Sequence, residues 1–246
     1  MKKAIVFFIT FILILCCFII SITAAFNITN SETETEPQPI NPTASQTKQF
    51  DINSIPQWNE TDAYYIVNNN EPFFTDNDYK TSTFEYYADL DELNRCGTCY
   101  VCLDKNSLPN EERGPINNIK PSGWKNKKYD FIDNGGYVYN RCHLIAHQLT
   151  GQNANKKNLI TGTRYLNVTG MLPFENKVAD AVKTSNNHIL YRVTPIFEDN
   201  NLVANGVLME GYSVEDKGKS LCFNIYCYNV QPGININYAT GETTAK

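Results

Sequence analysis

The chain has 246 residues with a formal net charge of −5, enough for one sizeable domain or two small ones. Hydrophobic side chains make up 42%, ample for a core, and the 15 Tyr and 13 Phe suit sheet surfaces better than a helical bundle. The overall charge argues against a polyanionic partner, but its distribution reverses that. From Arg113 to Arg192 there are 12 Lys and Arg against 4 Asp and Glu, a net of +8, while the remainder carries −13. A basic middle in an acidic chain is an electrostatic footprint for phosphates.

In chain order, Lys2 and Lys3 precede an apolar run from Ala4 to Ile20 interrupted only by Thr10. Residues 1–26 read as an export signal or N-terminal membrane anchor, because the run is long for a signal and Thr23-Ala24-Ala25 offers small residues for cleavage. Either form sends the rest outside, to the cell surface or beyond. Residues 27–49 are rich in Ser, Thr, Glu and Pro and bury too little to fold, so they read as a disordered linker. The folded domain is expected over 50–246. Short strands and loops are expected over 62–88, with one strand pairing late in the fold. A short helix or turn at 88–97 opens into the strand "TCYVCL". Gly135-Gly136 turns into a strand ending near Arg141, "LIAHQLTG" is helical until Gly151, and "LITGTRYLN" is ambiguous because of Gly162. "LPFENKVADAVKTSNN" is the best helix, with Pro173 in its first turn and an apolar stripe of Phe174, Val178, Ala181 and Val182. After His188 everything reads as antiparallel sheet, with a hairpin turn at Asp199-Asn200-Asn201 and one apolar face formed by Leu221, Phe223, Ile225 and Cys227. The class is α+β.

Eight cysteines in an exported chain permit disulfides, and one disulfide plus buried free thiols is expected; Cys222 and Cys227, five apart on a strand, face opposite ways and should not pair. "CGTCYVC" is a weak match to zinc patterns, which want two separated pairs.

The chemistry concentrates in "YNRCHLIAHQLTGQNANKKNLITGTRYLN", residues 139–167. His143 and His147 stand four apart, a spacing that can clamp zinc on a helix, but Leu144 stands where a zinc protease carries Glu and no third ligand is evident. His147 and His188 read as structural. A single histidine as base fits better. A neutral imidazole takes a proton from water near neutral pH, an amide oxygen of Asn167 suits a hard divalent ion that keeps most of its waters, and Arg141 or Lys177 can hold phosphate oxygens.

"NRCH" (140–143), "NLITGTRYLN" (158–167) and "FENKV" (174–178) resemble, in order, the Asp-Arg-Gly-His, Asn-Ile-x-x-x-Thr-x-x-x-Asn and Glu-bearing helix of the DNA/RNA non-specific endonucleases, also called ββα-metal or His-Me finger nucleases. The similarity extends over roughly 89–242 and is nearest to secreted and surface-bound DNases of Gram-positive bacteria. The resemblance implies a central antiparallel sheet flanked by helices with a ββα-metal motif. It implies hydrolysis of DNA or RNA without base specificity, leaving 5′-phosphate ends, with Mg²⁺ or another divalent cation such as Mn²⁺ and no small-molecule cofactor. His143 would be the general base, Asn167 the metal ligand, and Glu175 would orient a metal-bound water or a basic neighbour. Arg141, with Lys177 and Arg164, would contact phosphate, and Asn158 would brace the loop. The chain departs from the pattern at Asn140 for Asp and Cys142 for Gly, at Gly162 where some relatives carry Gln, and at Ala179 where some carry a helical Arg. Two alternatives remain from other classes: a surface protein that binds nucleic acid without cutting it, whose mark would be loss of His143 or Asn167, and a zinc hydrolase built on His143 and His147. The membrane is a partner only if the first 26 residues are retained.

Overall fold

Alternation along the strands builds a sheet with two different faces. The computed structural model describes residues 50–246; the signal or anchor and the linker expected over 1–49 lie outside the described residues. Strands β1 (Tyr64–Ile66), β2 (Phe84–Tyr87), β3 (Cys99–Leu103), β4 (Tyr139–His143), β5 (Leu159–Thr163), β6 (Ile189–Ile196), β7 (Gly206–Ser213), β8 (Cys222–Tyr228), β9 (Ile234–Asn237) and β10 (Glu242–Ala245) are joined by two α-helices, α1 (His147–Thr150) and α2 (Leu172–Thr184). Six strands form an antiparallel sheet in the order β1-β8-β7-β6-β3-β2, so the first strand does pair with one formed late in the chain. β4–β5 and β9–β10 are separate antiparallel pairs. The chain is α+β, as the sequence reads.

One face of the large sheet carries Val101, Tyr191, Val193, Met209, Phe223, Ile225 and Cys227, all buried. Against it lie the four stripe residues of α2, Phe174, Val178, Ala181 and Val182. Burying a side chain of the Val or Phe class is worth about 1.5–3 kcal/mol, so this stripe is what holds α2 to the sheet. The other face carries Tyr100, Cys102, Leu190, Leu208 and Tyr226, and the segment before β2 covers it: Phe74 stacks on Tyr100 and Phe50 on Tyr226. Within that apolar layer Arg192 pairs with Glu210 across the β6–β7 register, Nε to Oε2 at 2.9 Å, and lies over the Phe74 ring. A buried charge is tolerated only when paired and hydrogen-bonded, and here it is both.

The structure departs from the sequence reading in β4 and in the cysteines, and it resolves one segment that the sequence leaves ambiguous. β4 runs two residues beyond Arg141 and pairs His143 with Leu159. "LITGT", the ambiguous segment, is a strand: an added Cβ on Gly162 would sit 2.6 Å from the Cβ of Cys142, so the glycine is there to admit the neighbouring side chain. The expected disulfide is absent among the described residues, where all six cysteines are free. Cys96 and Cys99 instead point their thiols at backbone carbonyls of 156–159. Cys222 and Cys227 lie apart as expected.

One buried side chain makes three of the hydrogen bonds that tie β4–β5 to the rest of the fold. Asn229, fully buried just after β8, accepts from the Thr163 N–H at 2.8 Å and donates to the carbonyls of Thr161 and Ala204 at 3.1 and 2.9 Å. Asn229→Ala should therefore strand three buried backbone groups, each worth about 1–3 kcal/mol, and lower stability by about 3 kcal/mol or more. Urea unfolding monitored by circular dichroism checks this; a midpoint within error of the parent would show that the clamp contributes nothing.

Candidate active site

β4, β5 and α2 meet at a cleft of about 820 Å³, and its lining gathers Arg113, Arg141, His143, His147, Arg164, Asn167 and Glu175. Three arginines against one acid make it a positive groove suited to phosphate.

His143 ends β4 and is buried, with 5% of its surface exposed. Its Nε2 lies 2.8 Å from the carbonyl of Asn153, and its Nδ1 lies 3.3 Å from Nη2 of Arg113. A carbonyl can only accept and a guanidinium can only donate. The proton therefore sits on Nε2, and Nδ1 presents its lone pair toward Arg113. Burial is the main cause that lowers the pKa of His143 to about 4; the Asn153 carbonyl opposes the shift, and the positive charge of Arg113 adds to it. The ring is neutral at physiological pH.

The loop that supplies the Asn153 carbonyl is held by asparagines. Asn158 is fully buried and clamps both backbone groups of Ile145: its Oδ1 accepts from the N–H at 2.8 Å and its Nδ2 donates to the carbonyl at 2.9 Å. Asn155 accepts from the Lys157 N–H, opening the short turn at 156–158. Gly151, at φ +71°, closes α1 in the left-handed conformation that glycine adopts without strain.

Asn167 enters the cleft from a π-helical turn, Leu166–Met171, that precedes α2. The Leu172 N–H reaches back five residues to the Asn167 carbonyl, which widens the backbone at this position. Pro173, lacking an N–H, suits the switch from this turn to the α-helix. The Asn167 Oδ1 accepts from the thiol of Cys142 at 3.1 Å. Burial pushes that thiol far up, and it stays protonated.

Glu175, in the first turn of α2, is 6% exposed. Burial raises its pKa to about 8, and the charge of Arg113 offsets part of the rise. Arg113 thus faces both His143 and Glu175. Sequence reasoning passed over it, although it is the residue at which the basic stretch begins.

The remaining expected residues divide. Arg141 lines the cleft, but its guanidinium donates to the carbonyls of Ile119 and Asn117 and lies 4.4 Å over the Trp124 ring, so it holds the 117–124 loop. Arg164 and His147 line the cleft. Lys177 is not brought into it; its ammonium lies over the Phe174 ring, and it lines a separate groove with Tyr64 and Asp180. No group of three or more His, Cys, Asp or Glu residues able to hold a metal occurs among the described residues, which leaves a zinc pair at His143 and His147 without a further ligand. An amide oxygen and one carboxyl are a sparse, hard donor set. That set fits a divalent ion that retains most of its water, as Mg²⁺ does.

Residues 75–215 match the family described as DNA/RNA non-specific endonuclease. The fold is similar to the crystal structure of NucA from Streptococcus agalactiae with magnesium ion bound, at 28% identity and a TM-score of 0.66 over 75% of this chain and 87% of that one. It is also similar to the Sda1 nuclease with bound zinc ion, at 22% identity and a TM-score of 0.63 over 75% of this chain and 97% of that one. An extracellular endonuclease shares the fold at 22% identity and a TM-score of 0.54, over 68% and 88% of the two chains.

The buried Glu175 makes stability depend on pH. The folded chain keeps the proton up to about pH 8, whereas an unperturbed Glu gives it up near 4.5. Between those values the folded state binds more protons, so stability falls as pH rises. The lowered pKa of His143 gives an opposite slope below about pH 6.5, so in EDTA-containing buffer the net decline in unfolding free energy should appear from pH 6.5 to 8, with a limiting slope of about 1.4 kcal/mol per pH unit from Glu175. Glu175→Gln should flatten that decline. Equal slopes for the two proteins in differential scanning fluorimetry would remove Glu175 as its source.

Proposed function

This chain belongs to the DNA/RNA non-specific endonuclease family, and we propose that it is an exported, divalent-metal-dependent nuclease that hydrolyses DNA or RNA phosphodiesters without base specificity. The observation that carries the reading is the tautomer of His143: a neutral imidazole whose Nδ1 lone pair meets a cation at the wall of an arginine-lined cleft.

His143 Nδ1 takes a proton from water as that water attacks phosphorus, and the bond from phosphorus to the 3′ oxygen breaks. The product strand carries a 5′-phosphate, and the departing 3′ oxygen takes a proton from solvent in the open cleft. The Asn153 carbonyl favours the imidazolium as it forms, because it already accepts from Nε2. Arg113 donates to Nδ1. An entering phosphate is a stronger acceptor than a neutral imidazole, so it draws the guanidinium away and frees the lone pair at the moment of use. Arg164, which lines the cleft, would contact a neighbouring phosphate, and Arg141 holds the loop that shapes the groove.

Asn167 and Glu175 are the residues that would hold the divalent ion. When bound it supplies positive charge against the phosphate oxygens as negative charge grows. Mg²⁺ or Mn²⁺ suits these oxygen donors. Asn167 keeps its oxygen directed by the Cys142 thiol, and Glu175 brings a carboxyl that burial holds in reserve as a neutral acid. Residues 1–26 are assigned as the export signal or anchor from their sequence, and the names of extracellular relatives support an extracellular or surface location.

Plasmid cleavage tests the reading. The 50–246 fragment should cut with Mg²⁺ and stop with EDTA. General-base removal typically costs about 10²–10⁴-fold, so His143→Ala should fall at least a hundredfold. Asn167→Ala should fall and need more Mg²⁺, while His147→Ala should stay within a few-fold of the parent. Undiminished cleavage by His143→Ala would overturn the assignment; equal losses at His143 and His147, restored by zinc, would replace it with a zinc site.

A further inference from the structure

Between β3 and β4 the chain makes a hairpin-like excursion whose surface the proposed chemistry does not use. Lys128 and Tyr137 form an isolated antiparallel bridge, the Tyr129 N–H donates to the Gly136 carbonyl, and the Val138 N–H donates to the Lys127 carbonyl. Asn134, Gly135 and Gly136 turn it, all at positive φ. The excursion is anchored: Ile132, Val138 and Tyr139 are buried with Ile234 of β9, and the Tyr129 hydroxyl contacts Thr243 of β10 at 3.0 Å.

On this fixed element Tyr137 leaves 48% of its surface exposed, although Val138 and Tyr139 beside it are buried. Tyr137 also lines the cleft that holds His143, Arg141 and Arg164. The Lys128 ammonium lies 4.6 Å from its ring centroid. Lys127 sits over Tyr129 on the same excursion, and Asp130 and Asp133 are the acids nearby in sequence. An aromatic ring left half exposed, with an ammonium over one face, on the wall of an arginine-lined groove has the composition of a base-stacking subsite. Duplex bases already stack on one another and cannot cover it without leaving the helix; an unpaired base can.

We propose that Tyr137 stacks an unpaired nucleobase of a single strand whose backbone runs through the cleft, so that the site grips single-stranded nucleic acid more tightly than duplex. The stack is indifferent to base identity because every base has a π face. The inference rests on the nuclease reading for the presence of a strand in the cleft, and on Tyr137 alone for the preference.

Two measurements separate the inference from that reading. The first is fluorescence anisotropy of a labelled 20-nucleotide DNA strand in EDTA, which needs no catalysis. Base–aromatic stacking is worth about 1–3 kcal/mol, so Tyr137→Ala should weaken binding about 5- to 150-fold. Tyr137→Leu, which keeps apolar bulk without the ring, should weaken it similarly. Tyr137→Phe should stay within twofold, and so should Phe131→Ala, an exposed ring on the same excursion that does not line the cleft. The second is steady-state cleavage with Mg²⁺: Tyr137→Ala should raise KM for the single strand by a similar factor, with kcat and the duplex values within twofold. Equal losses on single strand and duplex, full binding by Tyr137→Leu, or unchanged binding by Tyr137→Ala would each overturn the stacking role. A parent chain that binds the strand through Tyr137 yet cuts nothing would sink the nuclease reading and leave the subsite standing.

Discussion

The hydrogen bond between His143 Nε2 and the carbonyl of Asn153 is the constraint on which the cleft depends. It fixes the tautomer, and with it the nitrogen that can receive a proton. The acceptor lies ten residues further on, beyond a one-turn helix, so the geometry is only as good as the path between. That path is closed on itself by Asn158 on Ile145, by Asn155 on Lys157, and by the left-handed Gly151. The asparagine-rich composition of 139–167 follows. An amide can donate and accept at once, and it braces a loop without adding negative charge to a groove that must admit phosphate.

The same economy operates beneath the hairpin. Cys142 stands where the family motif has glycine, and Gly162 stands diagonally opposite it on β5, where some relatives have a larger residue. The two departures fit one another: the Cys142 side chain occupies the space an added Cβ at Gly162 would need. The thiol that results is not idle, because it donates to Asn167 Oδ1 and contacts the sulfur of Met171 at 3.4 Å. A strand residue facing the core thereby sets the side chain proposed to hold the ion, while the next residue, facing the cleft, is the proposed base.

Much of this was legible in the sequence. The order His143, Asn167, Glu175 was readable because each falls at a junction that local signals mark: a strand end, a turn, the first turn of a helix with Pro173. β6 to β8 were readable from alternation. The residues that escaped did so for physical reasons. Arg113 reaches the cleft from a loop with no period to announce it, 30 residues from its partner His143. Lys177 follows Glu175 by two residues, which puts it roughly 200° around the helix at 3.6 residues per turn, on the far side. Arg141 does share the strand face of His143, but the carbonyls that occupy its guanidinium come from a loop whose path only the fold reveals. The expected disulfide rested on compartment alone. Spacing could have opposed part of it, since Cys99 and Cys102 are three apart on β3 and belong to opposite faces of the sheet.

Arg113 is coupled to two titrations at once, and its position gives the site a direction. Burial is the main cause that keeps His143 neutral and the charge of Arg113 adds to it, while the same charge lowers the pKa of Glu175 against its burial. A phosphate that drew Arg113 away would therefore strengthen the base as substrate arrived. The same departure would leave Glu175 still harder to ionise, unless another positive charge took the place of the guanidinium. A divalent cation at Asn167 and Glu175 is such a charge. On these grounds the proposed base needs only substrate to be released, whereas the proposed acid needs the ion. On that proposal a single buried carboxyl suffices, because it would hold a cation and would not repel the polyanion the cleft must accept.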